Sequence, residues 1–233
     1  MKPAHQRTVL RVLGMLSILL PAVLVAGTAA LDHCTVVLAS VSHYYYTSMN
    51  PLFVGLLYAT GLFLFLYKGD TTAQTATTRF AAVCVVAVAL LPTSNDIYGC
   101  STRAYQPNAL GEELHKAFAA FFLLAMSVLF CLFARENGSR DRQARFRNQI
   151  YYTCAATIGI LVFTIVALSK PDWYGGEIRQ RLVDWTTAYK PVFWLEWPAF
   201  VALGTSWLIK GEWLLANRPT YQQQPVLTDV EFA

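Results

Sequence analysis

The chain has 233 residues and a formal net charge of +4, and 14% of its residues are charged while 55% are hydrophobic. Soluble domains carry about 25% charged residues, so this composition excludes a soluble globular protein, and it also excludes a disordered chain. The basic balance does not indicate a nucleic-acid partner, because no stretch interleaves Lys and Arg with stacking aromatic residues. The sequence therefore predicts an integral membrane protein.

Six apolar segments are long enough, or nearly long enough, to cross a bilayer. A span needs about 20 mostly apolar residues, because the hydrocarbon is about 30 Å thick and a helix rises about 1.5 Å per residue. We therefore predict an all-α, polytopic membrane helix bundle over residues 1–215 and a polar cytoplasmic tail at 216–233. In chain order, the six predicted transmembrane helices cover about 9–31, 51–68, 75–94, 114–134, 150–168 and 191–210.

The first of these segments has a second interpretation. Lys2, Arg7 and Arg11 precede an apolar run that ends in Gly-Thr-Ala-Ala, as in a signal peptide. The run from Val12 to Leu31 is longer than the usual signal-peptide core of about 7–15 residues. We therefore expect an uncleaved helix.

The distribution of basic residues predicts the orientation of the bundle. With the N-terminus inside, 12 Lys and Arg residues lie on the cytoplasmic side and 6 on the outer side. The loop 135–149 alone holds five of them. Because basic residues collect on cytoplasmic loops, we predict that both termini are cytoplasmic.

The cysteines divide into two groups. Cys84, Cys131 and Cys154 lie inside predicted spans, whereas Cys34 and Cys100 lie in the first and second outer loops. Only the outer pair would meet an oxidising compartment. We predict a Cys34–Cys100 disulfide, and the alternative is two free thiols near the membrane interface.

Glu196 is the plainest polar group at membrane depth. It follows Pro191 by five residues in the last predicted span, where a carboxyl group is costly unless it is paired, protonated or facing water. One interpretation makes Glu196 a ligand, proton acceptor or substrate contact, and a small transporter or ion pathway would use it as the titrating group. The other makes it the partner of a nearby Arg, Lys or Tyr that fixes helix packing.

Several histidines and acids collect on the predicted outer side. His33 and His43 lie in the first outer loop, Asp96 follows the third span, and His115 begins the fourth. Imidazole and carboxylate suit Zn²⁺, so these four residues are candidate ligands of a possible zinc site. Glu196, Asp96 and His115 are the catalytic candidates of such a hydrolase. No HExxH or HxxxH pattern is present, and lone histidines at an interface are usually ordinary anchors.

Aromatic residues also favour the outer side. Tyr44, Tyr45 and Tyr46 precede the second span, and tyrosines often line the membrane interface. Alternatively, their hydroxyls line a pocket with His43, which makes the three tyrosines and Glu196 ligand-binding candidates. Tryptophans fit the same interfacial belts, with Trp173, Trp185, Trp194 and Trp197 on the outer side and Trp207 and Trp213 on the inner side.

The outer loop 169–190 predicts a short interfacial helix. Ile178, Leu182 and Trp185 follow one another at spacings of four and three, which places them on one helix face. This helix either lies on the lipid headgroups or caps a pocket among the spans.

Two stretches resemble an uncharacterised family of bacterial six-helix integral membrane proteins. They are SVSHYYYTSMNPLFVGLLYATGLFLFLYKG at 40–69 and VFWLEWPAFVALGTSWLIKGE at 192–212, and ALLPTS at 89–94 and ELHKAFAAFFLLAMSVLFCLF at 113–133 fit the same family. The layout is distantly similar to DRAM/Frag-type membrane proteins. The resemblance implies a multi-pass protein of the bacterial inner membrane and a lipid-related role. The HxxxH pair in the last helix of alkaline ceramidases and progestin-receptor-like proteins is missing here.

These observations leave three functional hypotheses. The first is a protein with an outward-facing polar and aromatic pocket that binds membrane lipids or a membrane-protein partner. The second is a metal-dependent, lipid-modifying hydrolase at the outer leaflet, and the third is the transporter or ion pathway using Glu196. The sequence does not decide whether the protein is an enzyme.

Overall fold

The computed structural model describes residues 4–95, 100–136 and 142–215, and within them it is helical with no strand. Two short 3-10 elements, Val41–Tyr46 and Pro171–Trp173, lie in connections between α-helices. The predicted tail at 216–233 lies outside the described residues. The α-helices are α1 (Ala4–Leu31), α2 (Asn50–Leu66), α3 (Thr72–Leu90), α4 (Ala109–Glu136), α5 (Arg142–Leu168), α6 (Gly176–Tyr189) and α7 (Pro191–Lys210).

Five of the described helices, α1, α3, α4, α5 and α7, are long and apolar enough to cross a membrane. The predicted span at 51–68 is the shorter apolar helix α2, of 17 residues. The all-α fold expected from the sequence is thus confirmed for the described residues, and the five apolar helices are consistent with a membrane bundle. These helices indicate a multi-pass membrane protein.

Some observed helices begin before the predicted spans, and one ends before its predicted span does. The helices α4 and α5 begin earlier, at Ala109 and Arg142, because a formed helix extends through polar residues at little cost once its nucleus exists. The third helix ends at Leu90 rather than at 94, since Pro92 disfavours helical backbone at the residue before it. Thr71 caps the start of this helix, and its side chain accepts a hydrogen bond from the backbone N–H of Gln74 at 3.2 Å.

Among the described residues, the six apolar helices α1 to α5 and α7 form a ring. Their neighbours follow the order α1, α7, α5, α4, α3 and α2, and α2 returns to α1 through a smaller contact. The start of one helix contacts the end of its neighbour in two places, which shows that neighbours in the ring run in opposite directions. Arg7 at the start of α1 pairs with Glu212 after α7 at 2.8 Å, and Gln74 in α3 donates to Glu136 at the end of α4 at 2.7 Å.

We call the end of the ring that holds these two contacts the Lys210 end. The opposite end is the disulfide end, which holds a disulfide between Cys34 and Cys100. Both the start of α1 and the end of α7 lie at the Lys210 end.

The interior of the ring is aromatic toward the Lys210 end. Trp207 is 2% exposed and contacts Phe63, Tyr67 and Phe130 edge-on, with ring centroids 6.0–6.2 Å apart. The expectation that Trp207 belongs to an interfacial belt is therefore wrong. Its indole fills the centre of the bundle because α7 turns this face inward.

Helices α1 and α7 cross closely at two glycines. A Cβ atom added to Gly204 would lie 2.4 Å from the carbonyl oxygen of Gly14, and one added to Gly14 would lie 2.7 Å from the Leu208 side chain. Small residues allow helix backbones to approach in a membrane. The close crossing fixes how α7 presents the residues of its disulfide end to the rest of the ring.

The outward faces of the long helices are apolar. Leu62, Phe65, Val83, Ile160 and Phe163 are all more than half exposed. Such a surface is unfavourable in water but matches a hydrocarbon environment.

Candidate functional site

The candidate site is the segment between α1 and α2 at the disulfide end. Ser40 to Thr47 include the 3-10 element Val41–Tyr46, and we call these eight residues the 40–47 segment. The Cys34–Cys100 disulfide, the pair expected from the sequence, joins this first connection to the second with Cα atoms 5.4 Å apart. The backbone N–H of Phe193 at the start of α7 donates to the carbonyl of Ala39 at 3.1 Å.

Glu196 holds the start of the 40–47 segment. Its Oε2 accepts a hydrogen bond from the backbone N–H of Val41 at 2.6 Å. The structural interpretation from the sequence expected an Arg, Lys or Tyr side chain as the partner, and the contact is instead with backbone. This bond satisfies a main-chain donor that a 3-10 turn leaves without an intrahelical acceptor.

His115 connects three elements. Its side chain, 3% exposed, has Nδ1 hydrogen-bonded to the carbonyl of Leu91 at the end of α3. A carbonyl oxygen only accepts, so Nδ1 carries the proton and Nε2 of the neutral ring is an acceptor. Nε2 lies 3.0 Å from Oγ of Ser42, whose hydroxyl therefore donates to the imidazole.

The second imidazole of the site belongs to His43. It is buried, and its Nδ1 lies 2.7 Å from Oγ of Ser40. The 40–47 segment thus presents two serine–imidazole pairs, one local and one between elements distant in sequence.

The other two proposed metal ligands are His33 and Asp96. His33 is exposed, at a positive φ of 54°, and Asp96 lies outside the described residues. In the part of the chain that the structure describes, no three His, Cys, Asp or Glu side chains form a group that could hold a metal ion.

Two of the three tyrosines are core residues. Tyr44 is 1% and Tyr46 0% exposed, while Tyr45 is half-buried. The Tyr46 hydroxyl donates to the carbonyl of Thr93, and burial raises the pKa of the Tyr44 hydroxyl. The belt interpretation is wrong for Tyr44 and Tyr46, and in this conformation they do not line an open cleft.

An aromatic series leads from the 40–47 segment to the surface. The Tyr44 ring is 6.2 Å from Phe193, which is 5.8 Å from Trp197. Trp197 in turn stacks on Trp194 with centroids 6.0 Å apart. Trp194 is 54% exposed, so the series gives the segment an apolar and partly exposed border on α7.

Helix α6 lies outside the ring. None of its side chains is buried, and Ile178, Trp185 and Tyr189 are exposed. Its charges pair locally, with Arg179 on Asp172 at 2.9 Å and Arg181 on Glu177 at 3.4 Å. A helix is present in the loop where the sequence predicts one, and at Gly176–Tyr189 it is longer than the interval from Glu177 to Trp185.

Comparisons with protein families, with curated proteins and with solved structures find no match to this chain.

Ser42 is the functional candidate that sequence reasoning missed. It stands 73 residues before His115, and one of several serines in a short stretch carries no local signal of a catalytic role. The repeated small and aromatic residues SVSHYYY indicate an unusual segment, but only the folded arrangement selects which serine meets which imidazole.

Proposed function

We propose that this protein crosses the inner membrane of a bacterium six times, with both termini in the cytoplasm, and binds lipid at its outer face through α6. The disulfide end is then the outer end, and the Lys210 end is the cytoplasmic end. Lipid is the proposed ligand, and a membrane-protein partner on the same surface is the alternative that the experiment below separates.

The opposite directions of ring neighbours support six crossings. At 17 residues α2 is somewhat short for a hydrocarbon layer of about 30 Å, which a bilayer accommodates by local thinning or by snorkelling of flanking residues. The excess of basic residues on the side of the N-terminus, 12 against 6, supports cytoplasmic termini. A disulfide at the opposite end suits an oxidising compartment.

The observation that carries lipid binding is the exposed apolar stripe of α6. Ile178, Leu182, Trp185 and Tyr189 follow one another at spacings of four, three and four, and three of the four are exposed. Membrane helices flank α6 on both sides, since α5 ends at Leu168 and α7 begins at Pro191. An amphipathic helix tied at both ends to a bilayer lies with its stripe at the boundary of headgroups and acyl chains.

Tryptophan quenching tests this placement. The purified full-length protein is reconstituted into phosphatidylcholine bilayers whose acyl chains carry bromine either near the headgroups or near the bilayer centre. We expect Trp185 to be quenched more by the shallow bromines, because the indole lies at the headgroup boundary. The Trp185→Phe variant isolates this signal, and Trp207→Phe is the matched control because Trp207 is buried.

Equal fluorescence of Trp185 in brominated and plain lipid would contradict the proposal. The helix would then lie away from the bilayer, and its stripe would belong to a protein partner.

A further inference from the structure

We propose that Ser42 and His115 are a nucleophile and its general base, and that they cleave carboxylic esters of amphipathic acyl compounds. The pair itself stands on the side-chain geometry of the 40–47 segment. Only the lipid-like substrate class rests on the function proposed above.

The geometry has the three parts that an activated serine needs. The Oγ–Nε2 distance of 3.0 Å lies within the range of about 2.6–3.2 Å for a nucleophile and its base. The Leu91 carbonyl on Nδ1 fixes the tautomer that leaves Nε2 free to accept a proton. It also stabilises the imidazolium that forms when the proton arrives, as an orienting group does in hydrolase triads.

Access to this pair is one-sided. His115 is buried, whereas Ser42 is partly exposed. An approaching ester therefore meets the hydroxyl first and reaches the imidazole only through it. This order distinguishes the pair from Ser40 and His43, which are both buried.

The surrounding bonds hold Ser42 in place. Glu196 binds the backbone of the preceding residue, Val41, at 2.6 Å. Near the other end of the segment, the backbone N–H of Thr102 donates to the carbonyl of Tyr46 at 2.8 Å. Glu196 is therefore a positioning residue, since a site held from both sides keeps its nucleophile at reaction distance.

The reaction balances with water as the only co-reactant. Oγ of Ser42 attacks the ester carbonyl carbon while its proton moves to Nε2 of His115, and the ester C–O bond then breaks. The leaving alkoxide takes the proton from Nε2, which releases the alcohol and leaves an acyl ester on Ser42. A water molecule, deprotonated by Nε2, attacks this ester, and the serine leaves with the same proton as the carboxylic acid is released.

The neighbouring residues favour an acyl ester over a polar one. The aromatic series through Phe193 and Trp197 to the exposed Trp194 borders the 40–47 segment and offers apolar contact to an acyl chain. In the proposed orientation the segment lies at the outer surface of the bilayer, where lipid esters are concentrated.

A short-chain alkyl fluorophosphonate tests the nucleophile without requiring a lipid. The purified full-length protein is labelled, digested and mapped by mass spectrometry. We expect the phosphonyl group on Ser42, loss of labelling in Ser42→Ala, and at least a tenfold slower reaction in His115→Gln, because a general base contributes about 10²–10⁴-fold. Ser101 is the matched control, since it is exposed and its hydroxyl donates to the Arg103 carbonyl.

A second variant gives a gain of signal that a merely structural hydrogen bond would not produce. In Ser42→Cys the thiol meets the same imidazole, so we expect iodoacetamide to alkylate it at least tenfold faster than the half-buried Cys131. The added His115→Gln change should remove that difference. Melting temperatures of all variants, measured beside the parent, separate lost labelling from lost folding.

Labelling of Ser40 or Ser101 in place of Ser42, or no labelling of a folded parent protein, would overturn the proposal. So would a Ser42→Cys thiol no faster than Cys131. These outcomes leave the quenching of Trp185 by brominated lipid unaffected, so failure of the nucleophile and failure of lipid binding are distinguishable. Labelling of Ser42 with no turnover of p-nitrophenyl esters of either short or long chains would overturn the esterase step.

Discussion

The Lys210 end holds a cluster of charged side chains that meet one another, whereas the disulfide end holds polar side chains that bind the backbone of other elements. Lys210 contacts Asp70 at 3.2 Å and Glu136 at 3.3 Å and lies over the Phe133 ring at 4.2 Å. At the other end, Glu196 and His115 bind the backbone groups of Val41 and Leu91. Substitutions should therefore cost more at the disulfide end, since partly exposed carboxylates can bind water when their partner is removed, but a buried backbone group cannot.

The largest effect should come from the disulfide. Replacing Cys34 and Cys100 by Ala releases a connection that spans 66 residues, and a closed loop of that length stabilises a fold by about 4 kcal/mol. We expect the melting temperature to fall by about 10 °C, measured by tryptophan fluorescence in detergent under non-reducing conditions. Cys131→Ala is the control, since that thiol is free and half-buried. Equal melting of the double variant and the parent would show that the disulfide end does not depend on the bridge.

Glu196 should give the next largest effect. Glu196→Ala leaves the Val41 N–H without its acceptor, which costs about 1–3 kcal/mol, while Glu196→Gln keeps an oxygen at the same place. We therefore expect Ala to lower the melting temperature by several degrees more than Gln does. If the two variants melt at the same temperature, the contact at 2.6 Å is not what holds the 40–47 segment in place.

Lys210 should be the milder counterpart at the opposite end. The Lys210 side chain is only 9% exposed, but those of Asp70 and Glu136 are 40% and 31% exposed, so water can replace part of the ammonium contact. We expect Lys210→Ala to cost about 1 kcal/mol and Lys210→Arg to cost less, as read from the same melting curves. A loss larger than that of Glu196→Ala would reverse the ranking of the two ends.

The smallest effect should come from α6. The Arg181–Glu177 pair is exposed at 83% and 89%, and exposed ion pairs contribute about 0–1 kcal/mol. Arg181→Ala should leave the melting temperature of the bundle within about one degree of the parent value, because α6 buries nothing against the ring. A drop of several degrees would place α6 in the packed structure after all.

The sequence predicts the helical bundle well because hydrophobic length is a local property. Each apolar segment becomes one helix, and the two cysteines outside those segments form the disulfide. The predicted end of the third helix lies four residues beyond the observed end at Leu90, because the prediction followed the apolar length of ALLP rather than the stop signal of Pro92.

The site is less predictable, because its contacts join residues far apart in the chain. Glu196 and Val41 are separated by 155 residues and His115 and Ser42 by 73. Burial of Tyr44 and Tyr46 depends on the 3-10 turn, in which every third side chain, here Ser42 and Tyr45, lies on the partly exposed face. The letters YYY do not show this pattern. Glu196 and His115 stand out in the sequence as costly polar groups, but their partners do not.

The orientation of the ring is the claim on which the outer site depends, and cysteine labelling in intact cells tests it directly. Thr187→Cys places a thiol on the exposed surface of α6, and Ala73→Cys places one on the exposed start of α3 at the Lys210 end. A membrane-impermeant maleimide should label the first in intact cells and the second only after the cells are lysed, with the parent protein as background. Labelling of Ala73→Cys but not Thr187→Cys in intact cells would contradict the account.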